Sequence, residues 1–577
     1  MKSKALFDVN NKQENLIEIK FDRMIRDFLK NKDKSILTWI NMKSSNTSFF
    51  RINLALTILV FICNSNILKA QNPNVLVIVA DDLGLDTLNP NDYGFSVNSL
   101  PTTPNIQSLR NSGVSFLNAW ATPQCTTTRA SILSGKYGIK SGVRNVPDNL
   151  DLTNESLFTY LNNNLTTNYA KGVIGKWHIS NPVNVNHPYE HGVDYYEGVI
   201  SGVINNYYSW DKVDENGDTI EVNEYLTQHF TNSAINWVSS QTEPWFLWLA
   251  HIAPHSPFHV PPSGTFSQAD TSNNRGKYLA AIESMDHYIG QLLNSMDQET
   301  LDNTIIIFIG DNGSPNGVAR YFPSGHNKGS MYEGGLRVPM IITGNGVTRQ
   351  GEFENGLVQV NDIYATIVEL ISNDLEGGIY NSYSIASALT TQNTITRPFI
   401  YSDDINNGVE YWAIRNDTYK VIENENGDVE FYNVIDDLQE SNDLTQFLTN
   451  EESDILDKLR AEAAIIRNGW SCVDQILNGT ETTIDGNCDG PGTLGIDDLN
   501  AFKFQVLPNP SSSLIRLISD FELDYNVQFY DINGKLINNL SNSPEFISIE
   551  HLSAGIYLLK ITNTLNNFSL IHKIIKK

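Results

Sequence analysis

The stretch NVLVIVADD, Asn74 to Asp82, holds seven residues with no polar alternation and then stops on two carboxylates. A strand with one wet face alternates apolar and polar residues, so an unbroken apolar run of this length predicts a strand buried on both faces. The same pattern recurs in KGVIG (Lys171–Gly175), WFLWLA (Trp245–Ala250), TIIIFIG (Thr304–Gly310) and VPMIIT (Val338–Thr343). Helix-like stretches such as TPNIQSLRNSG and GKYLAAIESMDHYIGQLLNSM separate these runs. The reading is an α/β fold, mostly parallel, with helices on both faces of the sheet.

Open parallel sheets bind ligands beyond the carboxyl ends of their strands. The residues just beyond each run are therefore informative: Asp81-Asp82, Lys176-Trp177-His178, His251 with His255 in APHSP, and Asp311-Asn312. Each has a plain explanation alone. Asp81-Asp82 can cap a helix, Asp311-Asn312-Gly313 is ordinary turn chemistry, and His251 can be a core histidine. Four polar tips on one edge carry the functional reading.

Asp81, Asp82, Asp311 and Asn312 offer hard oxygen donors, which suit Ca²⁺ first and Mg²⁺ second. His251, His255 and His259 recur every four residues, but Pro254 and Pro257 break any helix that would align them on zinc. Arg129, Lys176 and Lys328 are the cations placed to hold a tetrahedral anion. They matter because the 577-residue chain has a formal charge of -27, which excludes a broad nucleic-acid surface and repels anionic substrates globally.

The N-terminal Arg51 and the run INLALTILVFI (Ile52–Ile62), ending near Ala70, read as a signal peptide. The mixed-charge segment before it points to Met42 as the true start. Export into an oxidising compartment would remove Cys63 and leave Cys125, Cys472 and Cys488. The two late cysteines flank a Gly- and Asp-rich loop and are read as a disulfide, with DGNCDG (Asp485–Gly490) as a weaker calcium-loop match. Cys125 is left over, at the start of the helix-like CTTTRASILSGKYG.

Taken together, VADDLG, CTTTRASILSGKYG, GKWH, APHSP, GDNG and KGSMYEGGLRVP resemble, in order, the type I sulfatases, with the arylsulfatase B-like branch most similar. That family lies in the alkaline-phosphatase-like superfamily. The resemblance implies a mixed sheet sandwiched by helices, followed by a smaller antiparallel C-terminal subdomain. It also implies that Cys125 is oxidised to 3-oxoalanine (formylglycine) by a maturation enzyme. The hydrated aldehyde then attacks sulfur, and its second hydroxyl allows sulfate to be expelled. By the same resemblance Arg129 steadies the modified residue and Lys176 and Lys328 clamp sulfate. His255 protonates the leaving alcohol, His178 is the base for elimination, and Asp81, Asp82, Asp311 and Asn312 hold Ca²⁺. Thr127 departs from the family pattern, which has Pro or Ala at this position.

Residues 504–577, with LPNPSSS, FYDINGKLI and LSAGIYLLKIT, resemble the β-sandwich sorting domain of type IX secretion. The expected organisation is a leader over 1–70, a catalytic domain over 72–400, its subdomain over 401–470, a linker over 471–503 and the sorting module. The expected protein is a secreted or surface sulfatase, exported through the periplasm, acting on a sulfated polysaccharide or its oligosaccharides. Two rivals stand beside it: a phosphodiesterase or phosphonate hydrolase of the same superfamily, and an inactive glycan-binding relative.

Overall fold

The structure is a computed structural model, and it describes residues 72–268, 270–372 and 378–468, with 504–507, 513–519, 525–531, 535–540, 546–563 and 569–577 toward the C-terminus. The leader with Met42, the 471–503 linker, the Cys472–Cys488 pairing and the Asp485–Gly490 match lie outside the described residues.

Ten strands form the main sheet: β1 (Asn74–Ala80), β2 (Gly113–Trp120), β3 (Ala170–Lys176), β4 (Tyr195–Val199), β5 (Trp210–Val213), β6 (Thr219–Val222), β7 (Trp245–His251), β8 (Thr304–Gly310), β9 (Met340–Gly344) and β10 (Glu352–Gln359). Their order is β10-β2-β9-β8-β1-β7-β3-β4-β5-β6. The four runs with polar tips are the adjacent parallel strands β8, β1, β7 and β3. Ala80 is level with both Gly310 and His251, so the residues just past them leave the sheet at one edge. The VPMIIT run departs from the parallel expectation, because β9 runs antiparallel to both β8 and β2. An apolar run reports burial and says nothing of direction.

Alternation along β1 divides the core in two. Val75, Val77 and Val79 pack in one cluster with α2 (Cys125–Ser134), α3 (Leu157–Asn164) and α6 (Asp362–Ser372), which comes after α1 (Pro104–Asn111), α4 (Leu226–Ser239) and α5 (Asn274–Ser295) in the chain. Leu76, Ile78 and Ala80 pack in the other cluster with α1, α4 and α5. Each fully buried aliphatic side chain contributes roughly 1.5–3 kcal/mol, so β1 is an anchor of the fold.

After a two-residue ladder of β11 (Gly378–Ile379) and β12 (Ser382–Tyr383), four antiparallel strands make the subdomain: β13 (Ile400–Asn406), β14 (Val409–Arg415), β15 (Tyr419–Asn424) and β16 (Val429–Asn433). Helix α7 (Asn450–Asn468) seals it with Leu456, Leu459 and Ala463. Near the C-terminus, described segments form a three-stranded and a four-stranded antiparallel sheet around Val527, Phe529, Leu559 and Ile561. Among the described residues no helix is long and apolar enough to cross a membrane.

Candidate active site

Cys125 is the first residue of α2, with Gln124 at the cap position in extended backbone. The helix is buried along its whole length. The Cys125 Sγ lies 3.2 Å from Nδ1 of His178. His178 follows β3 in a left-handed conformation (φ 59°), as does Asp82 after β1 (φ 69°). Two non-glycine residues held this way at the ends of nearby strands mark a site where geometry has been favoured over backbone comfort.

One turn after Cys125, Arg129 donates through Nε and Nη2 to Asp311 Oδ2 (3.2 and 2.8 Å) and through Nη1 to the Lys176 carbonyl (2.9 Å). Lys176 Nζ meets Asp81 Oδ2 at 2.5 Å, both side chains being fully buried. Lys328 pairs with Asp82. Asn312 Nδ2 donates to Asp82 Oδ1 (2.8 Å), and the Asp82 amide donates to Asp311 Oδ1 (3.0 Å). His255 is half-buried at the rim, with Nε2 at 3.8 Å from Asp82 Oδ2. Eight of the ten residues expected at the site are thus joined by polar contacts, and Cys125 with His178 forms a separate pair beside them.

Its electrostatics are balanced. Three carboxylates, Asp81, Asp82 and Asp311, face three cations, Arg129, Lys176 and Lys328. Burial works against the Asp81 charge, yet Lys176, His255 and Arg129 hold its carboxyl well below the usual carboxylate range. Burial and the neighbouring Asp81 push Asp311 up to about 6. The His178 imidazole is driven down to about 2, first by burial and then by Lys176. Burial raises the Cys125 thiol. The pair at 3.2 Å is therefore a thiol beside a neutral imidazole, the opposite of an activated thiolate–imidazolium pair.

Two oxygens in this network have no partner although they are buried, Asp81 Oδ1 and Asn312 Oδ1. Orphaned acceptors in the interior are costly, and a hard cation satisfies them. Asp81, Asp82 and His255 also bring ligand atoms within 4.8 Å of one another. The oxygen-rich donor set fits Ca²⁺ or Mg²⁺.

His251 takes a different place. It is fully buried, neither ring nitrogen has a partner, and burial lowers it to about 4. His255 takes the rim position instead. Several supporting contacts carried no sequence signal. Trp177 Nε1 donates to His187 Nδ1 (3.0 Å), bracing the segment between Lys176 and His178. Gln124 donates to Asp404 Oδ2 (2.7 Å), and Asn406 Nδ2 donates to the Gly329 carbonyl (3.1 Å), so the subdomain grips both ends of the site. These contacts span up to 280 residues of sequence, and no local pattern announces them.

A sheet of this order, sandwiched by helices and carrying this cluster at its carboxyl edge, defines an alkaline-phosphatase-like α/β protein. Residues 73–373 match the sulfatase family, and the chain belongs to that family. Residues 505–577 match the secretion system C-terminal sorting domain. The chain is 27% identical over 344 residues to the N-acetylgalactosamine-6-sulfatase of Homo sapiens, covering 52% of this chain and 62% of that protein. It is 24% identical over 404 residues to an arylsulfatase of Clostridium perfringens, covering 58% of this chain and 82% of that protein. The crystal structure of Ps i-CgsB in complex with k-i-k-neocarrahexaose is similar at a TM-score of 0.58 and 25% identity, over 71% of this chain and 98% of that one. The chain spans less than two thirds of the length of the human relative.

Proposed function

We propose that the protein is an exported sulfuric ester hydrolase acting on a sulfated carbohydrate, with its catalytic domain over 72–400, a subdomain over 401–470 and a sorting module over 504–577. The observation that carries this reading is the pairing of three cations with three carboxylates around Cys125, with two buried oxygens left unpartnered. Family membership, the sorting-domain match and the neocarrahexaose held by the similar Ps i-CgsB support it. The sorting match also supports handling by a type IX secretion machinery after passage through the periplasm.

In this reading Cys125 is converted by a maturation enzyme to formylglycine, whose hydrate would supply one hydroxyl as the nucleophile and a second whose loss of a proton would expel sulfate and restore the aldehyde. Asp81, Asp82, Asp311 and Asn312 would hold Ca²⁺, which supplies positive charge beside the sulfate oxygens. The remaining work belongs to the chain's own side chains. Lys176 and Lys328 each keep ammonium protons beyond those given to their carboxylates and orient the sulfate group with them. With Nδ1 donating to the Ser256 carbonyl (2.6 Å), His255 protonates the leaving oxygen from Nε2 of its doubly protonated form. His178, neutral and with Nδ1 turned to residue 125, accepts the proton released there. Arg129 locks Asp311 and the end of β3 so that these atoms stay in register.

Mass analysis of the peptide containing residue 125, from protein matured in its native host, tests the nucleophile. A loss of about 18 Da relative to the thiol supports formylglycine, and an intact thiol overturns this mechanism. Turnover of 4-nitrophenyl sulfate in preference to bis(4-nitrophenyl) phosphate separates sulfate from phosphodiester chemistry.

A further inference from the structure

Beside the sulfate clamp lies a pocket of about 490 Å³, inside the range of about 300–1,000 Å³ typical of small-ligand sites. Its wall is formed by Lys328 and Gly329, by Gln124 and Asn145, and by the tip of the β13–β14 hairpin, Asn406 to Gly408. Four carboxamides line it, no carboxylate does, and Lys328 is the one cation in the wall. That cation is already paired with Asp82.

We propose that this pocket is the leaving-group subsite and that it selects a hydroxyl-rich, uncharged sugar unit over one bearing a carboxylate or a second sulfate. The proposal rests on the sulfate-ester reading above. A carboxamide offers donors and an acceptor together, which matches a sugar hydroxyl. A carboxylate or sulfate accepts only, and holding one takes cations that this wall does not have to spare. In a chain of net charge -27, a second anion is also opposed by the surrounding field.

The pocket is built and not incidental. Gln124 immediately precedes Cys125 and is tied to the buried Asp404. Asn406 is tied to the Gly329 carbonyl, beside Lys328. The hairpin is thereby pinned at both ends of the reactive site, with Asn407 at its tip in a left-handed conformation (φ 52°). A sugar whose sulfate lies on Lys328 would present its neighbouring hydroxyls to this wall.

The test compares kcat/KM of the full-length matured protein on three probes: 4-nitrophenyl sulfate, a monosulfated neutral disaccharide, and a disaccharide of the same linkage in which one unit is a uronate. The neutral disaccharide is expected to be preferred over the uronate by about tenfold or more, the scale of one hydrogen bond left unmade. Asn407→Gly, which keeps the backbone conformation, and Asn145→Ala are each expected to lower the ratio of disaccharide to aryl sulfate kcat/KM by about tenfold, through KM, the size of one lost hydrogen bond. Equal or better use of the uronate, or a ratio that stays essentially at the wild-type value in both variants, overturns the subsite while leaving the sulfatase reading intact. No aryl sulfate turnover by the wild-type protein overturns the enzymatic reading, and the subsite with it.

Discussion

Gly202 offers a stringent test of how tightly the site is packed. It sits in the turn after β4 with φ +66°, and a Cβ placed there would lie 2.5 Å from His178 Cβ and 2.7 Å from Lys176 Cε, and nearer still to His178 Cγ. Comfortable carbon contacts are about 3.5–4.0 Å, so Gly202→Ala requires a displacement of roughly 1 Å in His178, Lys176 or the turn. The left-handed backbone adds about 1–2 kcal/mol for alanine, and the overlap adds about 1–3 kcal/mol. A misplacement of this size in a catalytic group costs about 10²-fold in rate. Gly94→Ala is the control, since Gly94 has φ +83° and nothing within 4 Å of its Cβ position. Thermal unfolding and kcat/KM on 4-nitrophenyl sulfate are measured for both. The control is expected to lose only the backbone increment, and Gly202→Ala to lose more stability and about two decades of activity. Equal destabilisation of the two variants, with Gly202→Ala close to wild-type activity, would refute the close packing of His178 and Lys176 on this turn.

Two further expectations concern pH and metal. Burial pushes Asp404 up to about 8, with the charge of Asp403 adding to it against the Gln124 hydrogen bond. Its folded value lies above the unfolded one near 3.9, so it adds stability that is fully present below about pH 4 and lost as the pH rises through about 8. Asp404→Asn removes this titration, so thermal unfolding from about pH 4 to about pH 9 should show the variant gaining on wild type across that window; parallel curves would contradict it. Ca²⁺ at about a hundredfold over its dissociation constant should stabilise the protein by about 2.7 kcal/mol. Chelation should reverse the gain and Asp81→Asn should abolish it, whereas unfolding curves indifferent to calcium would remove the oxygen cluster as a metal site.

The sheet and the cluster at its edge were legible because burial on both faces leaves a direct trace in sequence, and four polar tips at one edge are harder to explain structurally than any one of them alone. The trace has limits. His251 ends β7 on the same face as Leu247 and Leu249, which are packed between the sheet and the helices α4 and α5. Strand parity, applied to WFLWLAH, carries that signal, because a residue two steps beyond a core leucine on a strand shares its face. His255 lies beyond the strand and escapes the constraint. Asp404 and the Asn406–Gly408 tip were hidden for another reason. Their partners lie in the turn entering α2 and in the loop of Lys328, and only the closure of the subdomain over the sheet brings them together.

Thr127 can be weighed in the same physical terms. It is fully buried, and its hydroxyl donates to the Gln124 carbonyl (2.9 Å) and also meets Thr122 Oγ1. The folded helix therefore accommodates threonine where the family pattern has proline or alanine, and no polar group is stranded by it. In the proposed function, the departure bears on recognition by a maturation enzyme. That step matters more here than folding does, because the encoded cysteine is poorly suited to attack. Its thiol is raised by burial, and the base beside it is a neutral imidazole held down by that same burial and by Lys176. Burial is the main cost of a thiolate here: Lys176 and Lys328 favour it, Asp81 and Asp311 oppose it, and no imidazolium is added to help. In the proposed mechanism a hydrated aldehyde removes this requirement, since its remaining hydroxyl can pass a proton to His178 as the carbon–oxygen bond to sulfate breaks and the aldehyde re-forms. On the proposed reading, the same burial that disfavours a thiolate at position 125 is compatible with a hydrated aldehyde there.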